Sequence, residues 1–109
     1  MMKEISFEYE GAKYTLAFTR KTVQTLSQNG FKPEMVTEQP AIGIPMLFKG
    51  AFMANHRNIK PGLTDEIYNS IVNKSDLISA LLTMYVEPIT EMLEDPEDKS
   101  KNVTWEANF

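Results

Sequence analysis

Apolar and polar positions alternate twice near the start of the chain. Ile5, Phe7 and Tyr9 alternate with Glu4, Ser6, Glu8 and Glu10; Tyr14, Leu16 and Phe18 then alternate with Thr15 and Ala17. A period of two marks a strand with one buried face. Gly11 supplies the turn, so the segment reads as an antiparallel hairpin around Glu10-Gly11-Ala12-Lys13. An isolated two-stranded hairpin is marginal in water. Its apolar face must therefore pack on helices or on strands of another copy.

The period then changes to that of helices. Thr19 is placed to cap a short helix carrying Val23 and Leu26. Asn29-Gly30 ends it, since glycine takes the left-handed conformation without penalty, and Phe31 can fold back on the last turn. Lys32–Gln39 is polar, contains Pro33, and reads as a loop or one helical turn. Ile42–His56 is the most apolar stretch. Ile44, Leu47, Phe48, Ala51 and Phe52 recur at steps of three and four, with Pro45 expected in the first turn and Gly50 marking a close helix–helix approach. This is the expected central helix, with His56 and Arg57 at its C-terminal end.

Pro61-Gly62 reads as a break, followed by a helix capped by Thr64 with Ile67, Tyr68, Ile71 and Val72 as its buried stripe. Ser75 is expected to cap a longer helix whose stripe is Leu77, Ile78, Leu81, Leu82, Tyr85, Ile89, Met92 and Leu93, kinked by Pro88. From Asp95 the chain is polar, and 95–109 is expected to be a flexible tail. The fold class is α+β: an N-terminal antiparallel hairpin, about four helices and an acidic tail, with residues 1–94 forming one domain. Ile44, Leu47, Phe48, Ala51, Phe52, Leu81, Leu82 and Tyr85 are the predicted shared core.

Composition narrows the function. The 109 residues include no cysteine, which removes disulfides, thiolate metal sites and cysteine nucleophiles. No apolar run approaches the roughly 20 residues of a membrane span. Met1-Met2-Lys3-Glu4 lacks the apolar core of a signal peptide, so a soluble intracellular protein is expected, with no membrane partner. Charge is asymmetric. Residues 1–62 carry eight Lys/Arg against five Asp/Glu, and residues 63–109 carry three against ten. Six acids and no base lie between Glu87 and Asp98. Such a balance gains nothing from counterion release, so nucleic acid is not an expected partner.

Candidate chemistry is sparse. His56 is the only histidine, Glu87 and Glu91 read as an exposed acidic face, and no acidic cluster has a calcium-loop pattern. No catalytic residue, cofactor or metal is expected. Seven methionines suit both core gaps and adaptable binding of apolar partners. Met46, Phe48, Phe52 and Met53 on the central helix are candidate partner contacts, although the two phenylalanines also belong to the predicted core. Trp105, alone in a polar tail, either folds back on the core or anchors a partner.

The order of these features resembles a family of small proteins from tailed phages and prophages of Gram-positive bacteria, the tail assembly chaperones. The matching pieces are Phe7-Glu8-Tyr9-Glu10-Gly11-Ala12-Lys13-Tyr14, Phe18-Thr19-Arg20-Lys21-Thr22-Val23, Pro45-Met46-Leu47-Phe48-Lys49-Gly50-Ala51-Phe52, Asp65-Glu66-Ile67-Tyr68, Tyr85-Val86-Glu87-Pro88-Ile89 and Asn102-Val103-Thr104-Trp105. The resemblance implies a non-catalytic protein of the host cytoplasm. It would bind the tape-measure protein, keep it soluble and help recruit subunits of the major tail protein. Self-association is a further expectation. The alternatives are a tail-completion or connector subunit retained in the virion, and a small host enzyme or regulator.

Overall fold

A computed structural model of the chain describes residues 3–95 and 103–108. Two strands, β1 (Glu4–Tyr9) and β2 (Ala12–Ala17), are followed by five helices: α1 (Arg20–Gln28), α2 (Met35–Glu38), α3 (Pro40–Phe52), α4 (Pro61–Ser70) and α5 (Lys74–Glu91). The architecture is α+β, as the change of period predicts. The short α2 falls in the segment read as loop or single turn.

The hairpin has a two-residue loop. Glu10 and Gly11 both take positive φ, at 48° and 83°, the combination whose twist matches the flanking strands. Ile5 lies opposite Leu16 and Phe7 opposite Tyr14 on the inner face. With this loop, Tyr9–Ala12, Phe7–Tyr14 and Ile5–Leu16 are the hydrogen-bonded pairs. The backbone groups of Glu4, Ser6 and Glu8, and of Lys13, Thr15 and Ala17, therefore point out along the two edges. Strand β2 stops before Phe18, which turns inward and is 3% exposed.

Thr19 caps α1 as expected. Its hydroxyl accepts from the Thr22 N–H, and the Thr22 hydroxyl accepts from the Thr19 N–H. At the other end Gly30 has φ of 94°, Phe31 donates its N–H to the Leu26 carbonyl and Gly30 donates to that of Ser27. That pairing satisfies two terminal carbonyls and swings Phe31 into the core.

α3 is the hub. It touches β2 and every other helix. Leu47, Phe48, Ala51, Phe52, Leu81 and Tyr85 are buried in one cluster, with Ile44 and Leu82 packed against it, so the residues predicted to share a core do so, within a larger cluster that adds Leu16, Phe18, Leu26 and Phe31 among others. Phe52 stands edge-on to Phe7, Tyr14 and Phe48 at 6.3, 5.9 and 5.1 Å between ring centres. Tyr85 does the same with Phe18 and Phe31 at 5.5 and 5.2 Å. The first group seats the hairpin on α3 and the second ties α1 and its exit to α5. A Cβ on Gly50 would lie 2.5 Å from Leu26 of α1, which is the close approach that this glycine signals.

Helix boundaries depart from expectation in three places. α3 begins at Pro40, so Pro45 lies within the helix rather than in its first turn, and the helix ends at Phe52, leaving His56 and Arg57 beyond it. The helical start goes to Pro40 because proline presets φ and needs no amide partner there. The same reason corrects α4: Pro61 opens the helix instead of breaking the chain. Thr64 is then no cap but a buried residue whose hydroxyl donates to the Pro61 carbonyl at 2.8 Å. In α5, Asn73 in the left-handed region (φ 58°) precedes Lys74, so Ser75 sits inside the first turn and does not cap it. Val72, predicted buried, is 81% exposed because α4 has already ended at Ser70.

Candidate functional site

The apolar stripe of α5 outlasts the body it packs on. Ile78, Leu81, Met84 and Tyr85 are buried, whereas Val86, Ile89, Met92 and Leu93 are exposed, Leu93 at 86%. Sequence periodicity places the last three in the core; no described element covers them. Beside them runs a groove of about 620 Å³ between α1 and α5, floored by Val23, Tyr85 and Pro88 and walled by Gln24, Ile89 and Met92. Across Arg20 and Pro88 it meets a second cleft of about 460 Å³ whose walls include Lys3, Phe18, Met84 and Glu87. The two clefts share Arg20 and Pro88 in their walls, and together they form the trough beside the C-terminal half of α5.

Its chemistry is apolar at the floor and charged at the rim. Lys3 Nζ lies 3.3 Å from Glu87 Oε2, an oxygen that is buried and makes no hydrogen bond among the described residues. Glu91, Glu94 and Asp95 continue the acidic side past the end of the helix. Burial raises the Tyr85 hydroxyl above the ordinary phenol value, and the negative charge of Glu34 adds to the shift. The neutral phenol under the groove thus belongs to the core.

The partner contacts predicted on α3 are not brought to this surface. Phe48 and Phe52 are 2% and 0% exposed, which corrects their assignment as partner contacts: the core reading of the same residues prevails because the hairpin and α4 close over them. Met46 is half-buried against the core and Met53 half-buried at the end of α3. Trp105 is 82% exposed, in a segment (103–108) without helix or strand. Of the expected tail, 96–102 and 109 lie outside the described residues. The trough escaped sequence reading because its residues keep helical spacing to Leu93. The available signal was the acids interleaved with them, Glu87, Glu91 and Glu94, which narrow the stripe.

His56 has a structural partner. Thr15 donates its N–H to His56 Nε2 at 2.9 Å, and Asn55 Nδ2 donates to the Thr15 carbonyl at 3.2 Å. The imidazole also stands 5.2 Å from the Tyr14 ring. Among the described residues no group of three or more His, Asp or Glu side chains is arranged to hold a metal ion. Among them, too, no helix is long and apolar enough to cross a membrane.

The model of one protein family, described as a domain of unknown function (DUF5055), matches residues 1–109. No curated protein and no solved structure matches the chain.

Proposed function

We propose that this chain, which belongs to the DUF5055 family, is a non-catalytic tail assembly chaperone of a tailed phage or prophage, acting in the cytoplasm of the bacterial host. In this reading it binds the tape-measure protein, keeps it soluble and helps recruit subunits of the major tail protein. The observation that carries the reading is the trough beside α5, with Ile89, Met92 and Leu93 left uncovered at its side and beyond the end of the helix. A surface of this kind suits an amphipathic helix laid in a groove, anchored at helical spacing. A tape-measure protein, long and helical, offers many such faces. The flexible thioether of Met92 lets one groove take successive, non-identical turns of a client.

Two further features support it. The sequence resemblance spans the hairpin, the central helix and the end of α5. The single histidine is engaged by the β2 edge, which fits a protein that holds a client rather than transforms one. The acidic end of α5 would guide basic client segments toward the trough.

Co-expression tests the reading. The tape-measure protein of the same genome should stay soluble and co-purify when this chain is present, and precipitate when it is absent. Purified virions should lack the chain. A client equally soluble without it would overturn the chaperone role, and stoichiometric retention in virions would favour a tail-completion or connector subunit.

A further inference from the structure

The two edges of the hairpin are treated differently. The β2 edge is closed at Thr15 by Asn55 and His56. On the β1 edge the outward backbone groups of Glu4, Ser6 and Glu8 make no backbone hydrogen bond beyond the hairpin among the described residues. Beside this edge lies an open groove of about 500 Å³, lined by Ile5, Phe7 and Tyr9 of β1 and by Ile71 and Leu77 at the α4–α5 corner. An unpaired edge with an apolar floor is a template for an added strand.

The chain itself carries a strand that fits. Val103, Trp105 and Ala107 alternate with Thr104, Glu106 and Asn108, a period of two rich in β-forming residues. The segment has the six-residue length of β1. It is not folded onto its own domain: Val103 and Trp105 are 89% and 82% exposed.

We propose that residues Val103–Asn108 of a second copy add to the β1 edge as an antiparallel third strand, with Trp105 opposite Phe7. Antiparallel pairing puts directly opposed residues on one face. In this register Val103, Trp105 and Ala107 face Tyr9, Phe7 and Ile5, and the indole covers the groove. On the outer face Glu106 meets Ser6, Thr104 meets Glu8 and Asn108 meets Glu4. A slip of two residues either way sets Glu106 against Glu4 or Glu8, and like charges directly opposed are destabilising. The same rule disfavours edge-to-edge pairing of two β1 strands about Ser6, which sets each Glu4 against a Glu8. The exchange is separate from the α5 trough and leaves it open to a client.

The absence of cysteine makes the pairing testable by cross-linking. Opposed residues of a hydrogen-bonded antiparallel pair lie about 5.5 Å apart at Cα, within disulfide reach. Full-length Ser6→Cys and Glu106→Cys chains are mixed at about 100 μM under mild oxidation, where mass action favours association. The expected product is the mixed Ser6→Cys/Glu106→Cys dimer, in excess over either homodimer, and Trp105→Glu in both chains should abolish it. Trp105 emission should shift to the blue on self-association and back to the red on dilution. Dominant Ser6→Cys homodimers would replace the proposal with edge-to-edge pairing. A chain carrying both Ser6→Cys and Glu106→Cys that closes as a monomer by its own disulfide, with emission blue at every dilution, would assign the strand to its own chain. Absence of any cross-link, with emission red throughout, would overturn the pairing outright.

Discussion

Thr15 and His56 lie 41 positions apart, and the 2.9 Å bond from the Thr15 N–H to Nε2 puts a side chain where a third strand would sit. Asn55 completes the substitution by donating to the Thr15 carbonyl. The turn after α3 thereby closes one edge of a two-stranded sheet and fixes the hairpin against Phe52.

This bond has a measurable share of stability. His56→Phe keeps a ring against Tyr14 and Phe52 but removes the acceptor, leaving the Thr15 amide unpaired. A loss of about 1–2 kcal/mol is expected from urea unfolding. An unchanged midpoint would show that water replaces the imidazole without penalty. No turnover of a small molecule should be lost in His56→Phe.

The aromatic core is expected to be the most sensitive region. Phe52 is fully buried and meets three other aromatic rings besides His56. Phe52→Ala should destabilise by about 3–5 kcal/mol, comparable to much of the stability of a small domain. Thermal unfolding by circular dichroism checks this; a midpoint within a degree or two of the parent would contradict the burial.

The two helical glycines of α3 should respond differently to alanine. At Gly43 the new methyl would meet the backbone carbonyl group of Met35 at 2.5–2.6 Å, so α2 as a whole must shift. At Gly50 it meets the Leu26 side chain at 2.5–2.9 Å, so a side chain rather than a backbone segment must move. Alanine gains about 1 kcal/mol of helix propensity at either site. Gly43→Ala should nevertheless destabilise by about 1–3 kcal/mol, the range of overpacking, and Gly50→Ala by clearly less. Equal midpoints in denaturant would refute the distinction.

The hairpin, the α1 caps, the hub helix and its core residues were legible in the sequence because each follows from local periodicity or turn chemistry. Thr19, Gly30 and Gly11 act on neighbours within a few positions. Three features were not legible for the opposite reason. Proline as a helix opener at Pro40 and Pro61 competes with its reading as a breaker, and the chain beyond decides. The pairing of His56 with Thr15 spans 41 positions and has no local signature. The exposure of Ile89, Met92 and Leu93 depends on how α1 lies against α5, which no spacing along α5 records.

Alkaline pH should weaken the fold through Tyr85. Burial, and then the Glu34 charge, raise its hydroxyl above the unfolded value of about 10, so the folded state favours the neutral phenol. Stability from this group is complete below that value and falls as pH rises through the folded value. Urea midpoints of the parent should drop as pH rises above about 10 more steeply than those of Tyr85→Phe, which has no hydroxyl to ionise. Parallel curves would remove Tyr85 as a source of the loss.

The trough beside α5 separates binding from folding. Ile89 and Met92 are 42% and 59% exposed, so replacing them takes little from the core. Ile89→Glu with Met92→Glu should leave the thermal midpoint close to the parent, within the roughly 0.5 kcal/mol typical of surface changes. The same pair should abolish co-purification with the tape-measure protein, since it sets two charges in an apolar groove that a client helix would have to desolvate. Phe52→Ala loses the client as well, but only together with the fold. Salt adds a second signature. If the acidic end of α5 steers basic client segments, association should slow as ionic strength rises, while dissociation, set by the apolar floor, changes little. Retained binding by the double variant at an unchanged midpoint would exclude the trough as the client surface and turn attention to the half-buried Met46 and Met53 of the α3 segment.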